Sequence, residues 1–156
     1  VQSGIENYAQ AIYHIGDENC EQAERVMYLR FVVPNIDRDS QRPLGMFQAV
    51  YDLRSWGWLS PHEEHQHDLI RDWFSAHLER PARFTASKPP YHNKQKRAIC
   101  WFKDSAKEHI RQARSLAKIL DNHCVPVTTL TTRHVGYVVY EDEFQITAEP
   151  FAGERY

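Results

Sequence analysis

Hydrophobic and polar positions along the chain recur with two periods, and the changes of period mark its elements. Residues 26–33 (Val-Met-Tyr-Leu-Arg-Phe-Val-Val) form an almost unbroken β-branched and aromatic run. That composition suits a pleated, buried surface, so the run predicts a central strand stopped by Pro34. Pro43 fits the first turn of a helix. Leu44, Phe47, Val50, Tyr51 and Arg54 then follow helical spacing as far as Trp56-Gly57-Trp58. A second helix has the better start signal. Ser60 can cap it, Pro61 suits its first position, and Glu63 completes a capping box. Leu69, Ile70, Trp73, Phe74, His77 and Leu78 give it a core-facing stripe that ends at Pro81.

Residues 80–97 are irregular and carry Pro81, Pro89 and Pro90; residues 98–103 return to strand composition. Ser105 and Glu108 predict another capping box. Ile110, Ala113, Leu116, Ala117 and Leu120 predict the buried face of the helix behind it. Residues 125–132 are a Val/Thr-rich strand. Gly136 breaks the chain, and residues 137–140 and 144–148 predict a hairpin around the acidic turn Glu141-Asp142-Glu143.

Residues 1–25 look separable. Ile5, Tyr8, Ala9, Ile12, Tyr13 and Ile15 predict a short amphipathic helix ended by Gly16-Asp17. Residues 26–156 predict a single α+β domain. Its sheet is mixed, mostly antiparallel and of about five strands, with three to four helices mainly on one face. The strand–helix–strand unit over residues 98–132 suggests a right-handed crossover, and the terminal hairpin should extend the sheet antiparallel.

Composition narrows the function classes. The 156 residues suffice for one core, and 12% aromatics argue against disorder. A net charge of −2 provides no global field for nucleic acid or an anionic membrane, so any such preference must be local. The three cysteines, Cys20, Cys100 and Cys124, contain no Cys-x-x-Cys. They read as buried, inert thiols of a reduced cytoplasm. No run is apolar enough to span a bilayer, so a cytoplasmic location and no membrane partner are expected.

From Tyr28 onward the chain resembles a family of small bacterial proteins without an assigned activity. The likeness rests on Tyr28-Leu-Arg-Phe-Val-Val-Pro34, Arg42-Pro-Leu-Gly-Met-Phe47, Cys100-Trp-Phe-Lys-Asp-Ser-Ala-Lys-Glu-His-Ile110 and Gly136-Tyr-Val-Val-Tyr-Glu-Asp-Glu-Phe-Gln-Ile-Thr-Ala-Glu-Pro-Phe151. It implies domain limits, with a natural start near Met27, and transfers no catalytic residues.

Four groups carry candidate chemistry. Asn35, Asp37 and Asp39 place oxygens at alternating positions, as hard cations require, although the match to a calcium loop is partial. The plainer reading is a solvated Asx turn. His62, His65 and His67 open a helix with Glu63 and could offer nitrogen to zinc, but their spacing is not His-Glu-x-x-His. Arg80, Arg83, Lys88, Lys94, Lys96, Arg97 and Lys103 form a basic stretch interleaved with Phe84, Tyr91, His92 and Trp101. It could follow phosphates and stack bases. Glu141 and Glu143 could serve as acid and base, with His134 or His109 as proton carrier.

Two functions follow as expectations. One is a hydrolase acting on a small molecule, assisted by a divalent cation, calcium rather than zinc. Asp37, Asp39 and Asn35 would hold the metal, and Glu141, Glu143 and His134 would do the chemistry. The alternative is a non-enzymatic module binding an anionic partner, nucleic acid or a phosphorylated ligand, through Arg83, Lys88, Lys94, Lys96 and Arg97. An aromatic surface for another protein is a third.

Overall fold

In the computed structural model, residues 26–87 and 97–154 are described. The predicted helix within residues 1–25 and the basic residues Lys88, Lys94 and Lys96 lie outside them. The chain runs β1 (Tyr28–Ile36), β2 (Pro43–Gly45), α1 (Met46–Ser55), α2 (Pro61–His77), β3 (Ile99–Lys103), α3 (Lys107–Asn122), β4 (Thr128–Thr132), β5 (Tyr137–Glu141) and β6 (Gln145–Glu149). Every strand pairing is antiparallel. The expected α+β class is therefore observed, with a six-stranded sheet and three helices among the described residues.

β1 organises this sheet. Tyr28–Val32 pair with Thr132–Thr128 of β4 along one edge. Tyr28 and Leu29 also pair with Lys103 and Phe102 of β3, which must therefore lie on the other edge. Val32 and Ile36 pair with Gly45 and Pro43 of β2, on that same second edge. β3 and β4 both oppose β1, so they run in the same direction with β1 between them. The expected crossover through α3 thus skips one strand. β6 follows β3, and β5 forms the far edge.

Side-chain alternation divides the sheet into two faces. Phe31, Val33 and Phe102 face the helices and join Met46, Val50, Leu53, Phe74, Ile110, Leu116 and Leu120 in the main core. Ile99, Trp101, Ile146 and Ala148 face away, packed with Val135. The link from Thr132 to Tyr137 can span at most about 18 Å. Four strand spacings on a flat sheet would already require about 19 Å. The sheet therefore curls around Val135 on the face away from α1, α2 and α3.

The structure moves several element ends. Pro34 does not stop β1, which continues to Ile36; the register with β2 shifts between Val32 and Ile36, and such an irregularity accommodates a residue without an N–H. Pro43 begins β2 rather than a helix, so α1 starts at Met46. Ser105 does not cap α3. Ala106 holds that position without a side-chain bond, and Glu108 pairs with Arg111. Leu69 is 58% exposed and leaves the α2 stripe; Phe74 is buried, Ile70, Trp73 and Leu78 pack against the core as expected, and Glu63 and His67 join them. The Ser60–Glu63 capping box is present as expected.

Gly136 is required where the curl tightens. Its φ is +103°, and a Cβ there would lie 2.0 Å from the Glu149 carbonyl oxygen. Gly57 has φ +72° with open space around it. Gly57→Ala should cost about 1 kcal/mol from backbone strain alone. Gly136→Ala should cost clearly more, about 3 kcal/mol or loss of folding, in urea melts of the two variants.

Candidate ligand-binding cleft

β3 leaves β1 after Leu29 and β2 joins only at Val32, so the sheet is split beside Arg30. A cleft of about 980 Å³ occupies the split. Its lining takes Cys100 and Phe102 from the helix-bearing face and Ile99 and Trp101 from the other. The cleft thus passes into the sheet itself rather than lying on one side. Phe47 and Phe74 wall it from the helices, and Phe84 from the segment after α2. That segment is anchored to the end of β6: Thr85 Oγ1 and the Ala86 N–H both donate to the Glu149 carboxylate at 3.0 Å. The Ala98 N–H donates to the Phe84 carbonyl at 3.0 Å.

Arg30 is the charged group at the centre of the split. Its Nη2 donates to the Pro43 carbonyl at 3.0 Å. Its Nη1 is buried and has no hydrogen-bond partner. Burial lowers the guanidinium to about 10, with the Cys100 sulfur and the Asp37 carboxylate pulling the other way. It therefore stays a cation at neutral pH. Asp37 does not neutralise it directly. That carboxylate accepts from the Ser40 N–H at 2.8 Å and the Ser40 hydroxyl at 2.6 Å. These bonds outweigh burial and hold Asp37 below the usual range.

The cleft offers a thiol but not a nucleophile. Cys100 Sγ sits 3.2 Å from Thr147 Oγ1, and burial pushes the thiol up despite Thr147 and Arg30. A protonated thiol is a poor nucleophile. Cys124, expected to be buried, is exposed.

The carboxylates nominated from sequence do not converge. Asp37, Asp39 and Asn35 follow or end β1 beyond its C-terminal part, and Asp39 and Asn35 are exposed. Glu141 pairs with Ile146 and binds Lys103 at 2.7 Å; Lys103 pairs with Tyr28 at the opposite end of β1. The eight residue steps of β1 separate these ends by about 25 Å. Glu143 and His134 are exposed. Among the described residues no three His, Cys, Asp or Glu side chains are placed to hold a metal ion. Asp142, rather than its neighbours, organises the acidic turn: it accepts from the Phe144 and Gln145 N–H groups, Gln145 Nε2 and the Tyr140 hydroxyl. Burial and then that bond to Asp142 push Tyr140 up to about 12.

The histidines also separate. His62 and His65 are exposed, whereas His67 is buried against Arg54, with Nδ1 and Nη1 at 2.9 Å. Burial, then Arg54, lowers His67 and keeps it neutral. His109 is buried too; its Nε2 donates to the His77 carbonyl at 2.8 Å and its ring stacks on Phe144. Both have structural roles. Of the basic stretch, Arg80 reaches the cleft lining, while Arg83 is exposed and donates to the Thr85 carbonyl. Arg97 is exposed.

Comparison with protein-family models, curated proteins and solved structures finds no match. Among the described residues no helix is long and apolar enough to cross a membrane.

Glu63 ties the helical layer together and makes it sensitive to acid. Its carboxylate accepts from the Ser60 N–H and hydroxyl, from Asn122 and from His123. The Ser60 bonds, foremost, hold it at about 2 instead of 4.5. A depressed carboxylate stabilises the fold fully above its unfolded value and loses that contribution as pH falls through the folded value. Stability should therefore decline from pH 4.5 towards pH 2. In urea melts across that range, Glu63→Gln should show a shallower decline, with a loss of about 1 kcal/mol at pH 7 from the weakened cap.

Proposed function

We propose that this protein binds a small organic anion in the cleft of the split sheet, with Arg30 as its charge anchor. The supporting observation is the Arg30 guanidinium itself, one nitrogen bonded to Pro43 and the other buried without a partner. Burying a cation costs several kcal/mol unless a counter-charge and hydrogen bonds compensate. Among the described residues no ion pair reaches Arg30. An incoming anion supplies the missing acceptor and the missing charge together. The cleft also has the form of a ligand site, concave and walled largely by apolar and aromatic side chains.

This reading keeps the anionic ligand expected from the basic stretch but moves its anchor from the loop to a strand. Binding is better supported than hydrolysis, because the carboxylates proposed to hold the metal and those proposed for catalysis lie towards opposite ends of β1 and Cys100 is protonated. A water-sized sphere does not reach Nη1 as the cleft stands. Ligand entry therefore requires a rotation of the guanidinium or of the adjoining wall.

Arg30→Met tests the reading, since it preserves length and removes charge. Stability should be unchanged or raised by about 1 kcal/mol, because an unpaired buried cation is replaced by an apolar chain. Thermal shifts produced in the wild type by small organic anions should disappear in the variant. A variant destabilised by about 3 kcal/mol or more, with its ligand shifts intact, would make Arg30 a structural residue instead.

A further inference from the structure

Resting on that reading, we propose that the ligand is an aromatic monocarboxylate: a planar ring body carrying one carboxylate and no second negative charge. The ring follows from the walls. Phe31, Phe47, Phe74, Phe84, Trp101 and Phe102 all line the cleft. Phe47 meets Phe74 edge to face, with centroids 5.0 Å apart at 86°. It is 41% exposed, large for a phenyl group that otherwise packs on Phe74 and Phe102. A ring laid between such walls gains both apolar burial and edge-to-face contact.

The single carboxylate follows from the donor count. Three other polar side chains in the lining have their donors committed. Gln145 Nε2 donates to the Glu79 carbonyl at 2.6 Å and to Asp142 at 2.9 Å. Ser75 donates to the Arg71 carbonyl at 3.0 Å, and Gln48 to Asp52 at 2.8 Å. Arg30 Nη2 is held by Pro43. Nη1 is thus the charged donor inside, with Arg80 at the exposed mouth beside Glu79. One inner cationic group suits the single charge of a carboxylate, whereas the second charge of a phosphate ester would have no cation inside. The charge limit follows from the acids: Asp37 and Glu79 also line the cleft. Like charge nearby disfavours a dianion.

Cys100 provides the readout, because its thiol lines the same cleft. With Cys20 and Cys124 replaced by Ser in the full chain, slow maleimide alkylation at raised pH, where part of the thiol ionises, reports Cys100 alone. Phenylacetate should slow that alkylation. In calorimetry it should bind at least tenfold more tightly than phenylacetamide, phenyl phosphate or acetate, and Arg30→Met should abolish the protection. Phenyl phosphate binding as tightly as phenylacetate, with Arg30 still required, overturns the monocarboxylate and leaves anion binding standing. Acetate protecting as well as phenylacetate overturns the aromatic body in the same way. Equal binding of phenylacetate and its amide, or no protection by any anion, overturns both.

Discussion

One edge of one strand has to serve two partners, and most of the molecule depends on how it is divided. Leu29 belongs to β3 and Val32 to β2, so the second edge of β1 changes hands within three residues. β2 has only three residues, too few to close the ladder towards β3. The opening between them is fixed by hydrogen-bond register. It persists because β1 is held on its other edge by five consecutive pairings with β4. The helices then cover the split instead of filling it. α1 starts directly from β2 at Met46, which places Phe47 at the cleft wall, and α2 delivers Phe74.

The other buried polar groups show how unusual Arg30 is in this fold. Glu63 is shared among Ser60, Asn122 and His123. His109 donates to His77, His67 contacts Arg54, Gln145 is shared between Glu79 and Asp142, and Thr147 meets Cys100. Each of these also joins separate elements, so satisfaction and architecture coincide. Arg30 reaches a backbone carbonyl with one nitrogen and nothing with the other. Buried polar groups are normally paired, and an orphaned one calls for an explanation. Among these charged and polar side chains, Arg30 alone keeps a buried nitrogen without an acceptor.

The class of the fold was legible in the sequence because its signals are local. The Ser60–Glu63 box, the 3.6-residue stripe of α3 and the period-2 hairpin around residue 142 each depend on neighbours a few positions apart. The errors arose where a distant partner overrode local preference. Pro34 reads as a stop, yet a shifted register with β2 carries the strand past it. Pro43 reads as a helix start, yet pairing with Ile36 makes it a strand. Register between segments is not visible in either segment alone.

The candidate site was missed for the same reason, although it left a trace. Charge along the sequence points to the basic stretch at residues 80–97 and the turn at 141–143, and charged residues are common in such polar segments for ordinary reasons of solvation. The informative charge was the single one inside an apolar strand, Arg30 within Val-Met-Tyr-Leu-Arg-Phe-Val-Val. In a strand covered on both faces, an arginine must find a partner or border an opening. Here alternation puts Arg30 on the face away from the helices, beside Tyr28 and Val32, and its length carries the guanidinium over the strand edge to Pro43. The edge that β1 cannot fill with backbone is therefore where its one charge emerges. A cation projecting into a gap lined by six aromatic rings presents one strong preference for an anionic end. That combination fixes the orientation of a ligand more than its affinity, because the rings accept many shapes and the guanidinium accepts one end.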